Sequence, residues 1–482
     1  MVVGDIETGT EVVVIGAGPA GYVAAIRAGQ LGLDVTLVEK EAYGGTCLNH
    51  GCIPSKAMVT ASDLAHEAGQ AEHMGIHADP AVDLSAMVDW KDGVVDRLTG
   101  GVEKLCKANG VNLVEGTARF VDDDKLRVAH GGEGQGSETL AFKHAVVASG
   151  SRPIEIPGFS FADEPVLDSR QALALETIPQ DLVVVGAGYI GMELSTVFAK
   201  LGTDVTVVEM LDDVLPGYED DIARVVRNRA KDLGVEFHFG RTASGWEPAD
   251  GRIRVETRAA DQEAETAPDG GAVTFEADNV LVAVGREPVS DTMDLEAAGV
   301  ETDDRGFIPT DDRTRTNVEN IHAVGDVAGE PMLAHKGSTE GTVAAEVIAG
   351  EPSAVDYQAM PAAVFTDPEI GTLGMTEAEA EEAGLEPAVG EFPFRASGRA
   401  LTTGHDEGFV RVVVDEPSGV LLGAQVVGPE ASELVAELGL AIELSATVED
   451  VAETIHTHPT LAEAVMEAAE NAMGEAIHTL NR

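Results

Sequence analysis

Cysteine is scarce in this chain, with 3 residues among 482. A secreted protein built from small disulfide-linked domains would need many more. The chain also opens without a basic start followed by an apolar run, so we predict no secretory signal. The sequence therefore excludes a framework of structural disulfides, and any disulfide formed here should be a working one.

Long apolar runs are also missing. The longest stretches, such as residues 281–284, fall far short of the roughly 18 residues that a membrane-spanning helix needs. We therefore predict no membrane span and a cytoplasmic location.

Basic residues are few: 31 Lys and Arg stand against 85 Asp and Glu, for a formal charge of −54. Nucleic acids and anionic membranes would be repelled by such a surface. The carboxylates extend from Glu7 to Glu475 without a long acidic run, so they should coat the whole fold. Because the Debye length shrinks from about 10 Å at 0.1 M salt to about 3 Å at 1 M, we predict a protein adapted to high salt.

One internal repeat organises the first 210 residues. Segments 12–40 and 182–210 each contain an apolar β-branched run, the pattern G-x-G-x-x-G, a helical pattern and a second apolar run that ends beside an acidic residue. A single G-x-G-x-x-G turn also occurs in ordinary α/β domains. Two copies with matched acids predict two βαβ modules that bind dinucleotides.

Each glycine of the repeat has its own mechanical role. The first permits a tight turn, the second lets the backbone approach a pyrophosphate, and the third lets the helix pack closely on the strand. Glu39 and Glu209 are spaced to accept hydrogen bonds from a ribose hydroxyl, and Glu209 would repel a 2′-phosphate. The predicted cofactor-binding glycines are Gly16, Gly18 and Gly21 in the first copy and Gly186, Gly188 and Gly191 in the second.

Other landmarks divide the rest of the chain. Segments 144–153 and 281–288 look like strands that leave the two modules, where we expect Ser149, Gly150 and Gly285 to contact cofactor. The polar stretch 261–271 predicts a hairpin loop or insertion. After about Gly350 the pattern changes to alternating strands, followed by helical periodicity over 431–444 and 461–473, which predicts an α+β domain with an antiparallel sheet.

Two of the cysteines lie in the segment GGTCLNHGCIPSK, which runs into a helical pattern with Pro54 in its first turn. A helix N-terminus stabilises thiolates, so Cys47 and Cys52 should be competent for thiol–disulfide exchange. Zinc is a rival, but a structural site needs two further ligands at comparable spacing and only Cys106 remains. Two inert buried thiols are the other alternative. Cys106 itself is expected to be a packed core thiol.

These features together resemble the pyridine nucleotide-disulfide oxidoreductases over nearly the whole chain. The resemblance depends on the two nucleotide folds, GGTCLNHGCIPSK, TNVENIHAVGDVA, LAHKGSTEG and HTHPTLAEA. It implies an α/β fold with two Rossmann-like dinucleotide-binding domains and a C-terminal α+β dimerisation domain. The implied divisions are 1–150 and 281–350 for the two parts of the FAD-binding and central domain, 151–280 for the NAD-binding domain and 351–482 for the dimerisation domain.

The resemblance also assigns roles to single residues. FAD would occupy the first fold, with Glu39 on its ribose and Asp326, of the Gly325–Asp326 pair, on its ribityl chain. Cys52 would lie against the flavin, and Cys47 would exchange with the substrate. Lys56 would lie beside the flavin ring, and Glu193 would approach its nicotinamide side, with NAD in the second fold. No metal is implied.

The C-terminal motif HTHPTLAEA supplies a candidate base. His458 has Glu463 five residues further on, where the carboxylate could orient the imidazole, and thiol deprotonation needs a base with a pKa near neutrality. The resemblance implies that this pair reaches the disulfide of the neighbouring subunit in a homodimer. His456 is then supportive or structural.

The activity implied is oxidation of protein-bound dihydrolipoamide to lipoamide, with reduction of NAD⁺. A lipoyl-bearing protein of a 2-oxoacid dehydrogenase complex or of the glycine cleavage system would be the partner. The alternatives are reduction of another disulfide or of mercuric ion by a related enzyme, such as a glutathione, mycothione or mercuric reductase, and a non-catalytic flavoprotein subunit. Glu209 argues against an NADPH-dependent glutathione reductase, and the intact cysteine pair argues against an inert subunit.

Overall fold

The first nucleotide module is built on a mainly parallel sheet, as the repeat predicts. The computed structural model describes residues 7–131, 136–260 and 271–481. The run Val12–Ile15 is buried, as expected of a parallel strand with both faces covered. The elements up to residue 153 are β1 (Glu7–Ile15), α1 (Pro19–Gln30), β2 (Val35–Glu39), α2 (Gly45–Asn49), α3 (Cys52–Gln70), α4 (Leu84–Ala108), β3 (Asn112–Glu115), β4 (Thr117–Asp122), β5 (Lys125–Ala129), β6 (Ser137–Val147) and β7 (Ser151–Pro153).

The order of this sheet is β3-β2-β1-β6-β5-β4. Strands β1, β2, β3 and β6 are parallel, whereas β4 and β5 pair antiparallel. The first glycine turn therefore lies at the carboxyl edge of the sheet, between β1 and α1. This edge is where open α/β sheets bind their ligands.

The second module repeats this arrangement. Its sheet is parallel throughout, with the order β11-β10-β9-β15-β8, and an antiparallel sheet β12-β13-β14 is attached to it. The predicted loop at 261–271 joins β13 to β14, and its residues 261–270 lie outside the described residues. The elements are β8 (Val166–Leu167), α5 (Ser169–Ala172), β9 (Asp181–Val185), α6 (Tyr189–Lys200), β10 (Asp204–Val208), α7 (Asp220–Asp232), β11 (Glu236–His238), β12 (Arg241–Ala249), β13 (Arg252–Ala259), β14 (Val273–Ala277), β15 (Asn279–Val282) and β16 (Arg286–Pro288).

After β15 the chain returns to the first module. Strand β16 pairs with β7 in a two-stranded ribbon, β17 (Ile321–Ala323) adds to β6 in parallel, and α8 (Ala334–Ile348) packs on α1. The division of the chain into 1–150, 151–280, 281–350 and 351–482 stays a prediction.

The last part of the described chain is an α+β unit, as predicted. Its antiparallel sheet has the order β18-β19-β22-β21-β20, and α11 and α13 pack against it. The elements are β18 (Ala362–Val364), β19 (Glu369–Gly374), α9 (Glu377–Glu382), β20 (Pro387–Pro393), α10 (Gly398–Thr403), β21 (Phe409–Asp415), β22 (Leu421–Gly428), α11 (Ala431–Glu443), α12 (Val448–Ala452) and α13 (Glu463–Ala472). Short 3-10 turns occur at Ala71–Met74, Leu295–Ala298, Gly325–Val327 and Phe394–Ala396.

The surface carries the acidic excess. Within the described ranges, the only buried acidic side chains are Glu39, Glu193, Glu209, Glu340 and Glu467. In the same residues, no helix is both long enough and apolar enough to cross a bilayer.

We expect the stability of this protein to depend on salt. Raising KCl from 0.1 M to 2 M should raise the thermal midpoint by roughly 10 °C, because screening weakens repulsion between surface carboxylates. A thermal-unfolding series in KCl measures this directly. Full stability at low ionic strength would contradict salt adaptation.

Candidate active site

A cavity of about 450 Å³ lies at the carboxyl edge of the first sheet. Its wall contains the first glycine turn, the N-termini of α2 and α3, part of α6 and the turn at residue 325. It brings together eleven of the predicted site residues: Gly16, Gly18, Glu39, Cys47, Cys52, Lys56, Ser149, Gly150, Glu193, Gly325 and Asp326.

The glycines of both turns divide into two kinds. A Cβ on the first or third glycine of either motif would collide with backbone oxygen: Gly16 with Ala148, Gly21 with Gly16, and the same pattern in the second copy. These glycines are required by the packing of the protein itself.

The middle glycines differ. A Cβ on Gly188 would meet nothing within 4 Å, and one on Gly18 would meet only Gly45 Cα at 4.0 Å. The protein leaves the space above both turns free, and both turns precede a helix N-terminus. This arrangement fits the close approach of a dinucleotide pyrophosphate.

Glu39 and Glu209 have matching hydrogen bonds. Glu39 Oε2 accepts from the Ala17 N–H and Oε1 from the Glu41 N–H, both at 2.7 Å. Glu209 accepts from the Ala187 and Leu211 N–H groups at 2.7 and 2.9 Å. Each buried carboxylate is fixed beside its glycine turn, and its oxygens keep lone pairs for a ribose hydroxyl.

The two cysteines lie at the junction of two helices. Cys47 is in α2 and Cys52 is the first residue of α3, which places both on the cavity wall. The Cys47 thiol donates a hydrogen bond to the Cys52 sulfur, which lowers the pKa of Cys52 to about 7 with further help from Lys56, against the opposing effect of burial. The same hydrogen bond, together with burial, raises the pKa of Cys47. In the dithiol state, Cys52 is therefore the sulfur that ionises first as the pH rises.

Lys56 on α3 and Glu193 on α6 form an ion pair close to the cysteines. Lys56 Nζ lies 2.8 Å from Glu193 Oε2 and 4.4 Å from the ring centroid of Phe365. Glu193 Oε1 accepts from the Phe365 N–H at 2.8 Å. The ammonium group is thus held one helical turn after Cys52, where it favours a thiolate.

Asp326 is fixed by side chains that the sequence did not single out. Ser151 Oγ donates to Asp326 Oδ2 at 2.5 Å, and Arg286 Nε donates to Ser151 Oγ at 2.8 Å. The preceding Gly325 has φ +75°, and its N–H donates to Glu340 Oε2 at 2.7 Å.

Glu340 is itself held by a buried ion pair with Lys336, at 2.8 Å. Both residues belong to the LAHKGSTEG segment, which is one of the segments that carry the family resemblance. The sequence does predict that Lys336 and Glu340 can form an ion pair, because opposite charges four residues apart lie on the same face of a helix. It does not indicate that this face is buried.

The loop residues predicted at the module exits are also ordered. Ser149 Oγ donates to the Val289 carbonyl at 2.6 Å. Gly150 and Gly285 have φ +73° and +127°, values that favour glycine. Gly285 does not line the cavity.

His458 and Glu463 form the predicted pair away from the cavity. His458 Nδ1 lies 2.9 Å from Glu463 Oε1, and Glu463 Oε2 accepts from the Thr460 N–H at 2.8 Å. The His458 side chain is 81% exposed, and in the described part of the chain its Nε2 has no hydrogen-bond partner. His456 is instead held against Glu437, with a side chain that is 7% exposed, which favours a structural role.

Within one chain, the cysteines and the first glycine turn line the same cavity, but several other predicted site residues lie elsewhere. The cavity wall contains no residue after Gly337, so His458 and Glu463 do not contribute to it. Gly186, Gly188, Gly191 and Glu209 lie at the second sheet, outside the cavity, while Gly21 packs beneath the first turn. Cys106 is fully buried, as predicted.

The cysteine asymmetry gives a pH prediction. In the reduced protein, alkylation of Cys52 by iodoacetamide should have a midpoint near pH 7, because the lowered pKa keeps the thiolate above that pH and loses it below. Cys47 should react only at much higher pH. Rates measured on the two cysteine peptides by mass spectrometry test this, and a Cys52 midpoint near the ordinary value of about 8.5 would contradict it.

Comparison with known proteins agrees with this geometry. Residues 10–341 match the family model described as pyridine nucleotide-disulphide oxidoreductase, and residues 360–469 match the dimerisation domain of the same name. Curated relatives named dihydrolipoyl dehydrogenase, from Halobacterium salinarum and Haloferax volcanii, are each 71% identical over the full length of both chains. A relative of the same name from Geobacillus stearothermophilus is 49% identical, again over both full chains.

Solved structures support the fold. The crystal structure of LpdA from Mycobacterium tuberculosis has a TM-score of 0.87 at 26% identity, covering 96% of this chain and 99% of that one. The HOCl-induced flavoprotein disulfide reductase RclA from Escherichia coli has a TM-score of 0.83 at 26% identity, covering 95% and 99%. Because the family models together match most of the sequence, this chain belongs to the pyridine nucleotide-disulphide oxidoreductase family.

Proposed function

We propose that this chain oxidises the dihydrolipoyl group of a carrier protein with NAD⁺, as a dihydrolipoyl dehydrogenase. The observation that carries the proposal is the placement of the cysteine pair: Cys47 and Cys52 lie on the wall of a dinucleotide cavity, and Cys52 begins α3 one helical turn before Lys56. The lowered pKa of Cys52 and the raised pKa of Cys47 support it. The halophilic relatives with this name support the choice of substrate.

FAD fits the cavity. Glu39 would hold its ribose, Asp326 its ribityl chain and the Gly18 turn its pyrophosphate, with Ser149, Gly150 and Lys56 nearby. NAD would use the second module through Gly188 and Glu209. When bound, FAD would supply two-electron transfer between the cysteine pair and the nicotinamide.

The protein's own residues would handle sulfur and protons. His458 Nε2, oriented by Glu463 through Nδ1, takes a proton from one substrate thiol. The resulting thiolate bonds to Cys47 Sγ, the Cys47–Cys52 bond breaks, and the electron pair stays on Cys52 Sγ.

His458 releases the first proton to solvent and takes the proton of the second substrate thiol, and this second thiolate attacks the substrate sulfur of the mixed disulfide. The bond to Cys47 breaks, and Cys47 takes a proton from His458. The substrate has lost two electrons as it closes to the cyclic disulfide, and the cysteine pair has gained them.

A homodimer is part of the proposal. His458 is exposed and does not line the cavity of its own chain, so a second copy would bring its His458 to Cys47. The match of residues 360–469 to a dimerisation domain supports this arrangement. The lipoyl carrier would be the lipoyl-bearing protein of a 2-oxoacid dehydrogenase complex or of a glycine cleavage system.

Glu209 predicts the choice of nucleotide. Its buried carboxylate is fixed by two backbone N–H groups, so it cannot turn away from a 2′-phosphate. With dihydrolipoamide, turnover with NAD⁺ should therefore exceed turnover with NADP⁺ by about 100-fold in kcat/KM.

The test is a set of assays on the FAD-loaded protein in high KCl. Dihydrolipoamide with NAD⁺ should give NADH, and glutathione disulfide with NADPH should give little turnover. Faster reduction of glutathione disulfide, or no turnover with dihydrolipoamide, would contradict the proposed substrate.

A further inference from the structure

Two ion pairs join α3 to α6 in the same register. Lys56 pairs with Glu193, and seven residues later Asp63 pairs with Lys200 at 2.7 Å. The partners are 137 positions apart in both pairs, so the helices run parallel at this contact. We call Lys56–Glu193 the proximal pair and Asp63–Lys200 the distal pair.

The Lys200 end of the distal pair is buried and has a second carboxylate partner. The Lys200 side chain is 6% exposed, as is that of Glu193 in the proximal pair. Lys200 Nζ also lies 2.8 Å from Asp367, which Arg229 contacts at 2.9 Å. A buried ammonium with two carboxylate partners is costly to leave unpaired.

The same short segment contacts both pairs. Phe365 donates its N–H to Glu193 and presents its ring to Lys56, and two residues later Asp367 accepts from Lys200. The start of the C-terminal unit therefore touches α3 and α6 at two points about 10 Å apart along the helices.

The order of the charges on the two helices disfavours sliding of α3 along α6. On α3 the sign runs from positive to negative, and on α6 it runs from negative to positive. A slip by two turns would bring Lys56 to Lys200 or Asp63 to Glu193, and a slip by one residue would rotate α3 by about 100° and break both pairs.

We propose that the distal pair, centred on Lys200, is a positioning device for the redox site: it fixes α3 along α6 and so sets where Lys56 stands beside Cys52. The inference rests on the proposed role of Cys52. The charged and titratable groups that face Cys52 are Cys47, Lys56, Glu193 and Tyr189. Since Lys56 is on the same helix as Cys52, the place of its ammonium depends on where Glu193 and Phe365 hold it.

The test compares the pH midpoint of Cys52 alkylation in reduced wild-type protein and in Lys200→Gln, at 2 M KCl. Salt at this concentration screens exposed charges, and Lys200 is not among the groups that shift the pKa of Cys52 most, so a change in the alkylation midpoint reports a change in the position of Lys56. We expect the midpoint to rise by roughly half a pH unit or more as Lys56 moves away from the thiolate. Lys200→Arg should restore the wild-type midpoint.

Arg411→Gln is the matched control. Arg411 is also mostly buried and pairs with Asp221 and Glu391, which joins α7 to the C-terminal sheet without touching α3. The Arg411→Gln substitution should lower the midpoint temperature of unfolding and leave the pH midpoint of Cys52 alkylation unchanged. If Lys200→Gln behaves in the same way, the distal pair only stabilises the fold and the inference is wrong.

Two further variants keep the test decisive. If Lys200→Gln does not fold, Asp63→Asn removes the half-exposed end of the distal pair. This variant should give a smaller shift of the Cys52 midpoint in the same direction, and no shift would overturn the inference.

The second variant combines Lys200→Gln with Glu193→Gln. Lys200→Gln should then add no further shift, because the proximal pair is already broken, whereas additive shifts would contradict positioning through that pair. Alkylation needs no lipoyl substrate, so failure of the proposed activity would be seen separately.

Discussion

Replacing Cys47 by Ser is expected to lower turnover of dihydrolipoamide by at least about 1000-fold. A serine oxygen cannot form the mixed disulfide with the substrate, and the Cys52 sulfur would have no partner for a disulfide. The measurement is NADH formation by the FAD-loaded variant in high KCl.

Cys106→Ala is the matched control. Cys106 is fully buried in the core of the first module and lies outside the cavity wall. Its loss should cost about 1 kcal/mol of stability and leave turnover within about twofold of wild type. Retained activity in Cys47→Ser would remove the cysteine mechanism.

The second large effect is expected at His458. Changing His458 to Gln should lower turnover by about 100- to 10,000-fold, because no base then takes the proton of the substrate thiol. Glu463→Gln should cost less, since the imidazole remains and only its orientation by the contact at Nδ1 is weakened. Steady-state rates between pH 6 and pH 9 measure both effects.

Mixing two inactive variants tests the origin of the base. In a mixed dimer of Cys47→Ser and His458→Gln, one of the two sites has both an intact Cys47 and an intact His458 from the other copy. Random exchange of subunits should therefore restore about a quarter of wild-type turnover. No recovery, with subunit exchange verified by mass spectrometry, would place the base elsewhere.

The sequence predicted most of the fold because its signals are local. The glycine turns, the β-branched runs and the matched acids all follow from steric and hydrogen-bonding rules within about 30 residues. The predicted helix at 431–444 begins at Ala431 in the structure and ends at Glu443, one residue early.

Other features could not be read from the sequence because they depend on pairs that are distant in the chain. Arg286, Ser151 and Asp326 come from three separate segments, and only the β7–β16 ribbon and the turn at Gly325 bring them together. Lys200 looks like an ordinary basic residue in the last turn of α6. Its burial against Asp63 and Asp367 depends on the packing of three units of the fold.

The cysteine roles illustrate the same limit. Spacing alone predicts an exchanging pair, but it does not say which sulfur carries the charge. The structure favours Cys52, because it begins α3 one helical turn before Lys56, and this ammonium helps to lower the pKa of its thiol.

The most direct test of the account follows Cys47 and Cys52 during reduction. Oxidised, FAD-loaded protein is titrated anaerobically with NADH in high KCl, and each cysteine is then assayed by alkylation and peptide mass spectrometry. We predict that both residues resist alkylation before NADH is added and that, after an equimolar amount, Cys52 reacts near neutral pH and Cys47 at much higher pH. Two results would contradict electron transfer from NADH to a Cys47–Cys52 disulfide. One is oxidation of NADH while both cysteines still resist alkylation, and the other is full alkylation of both before NADH is added.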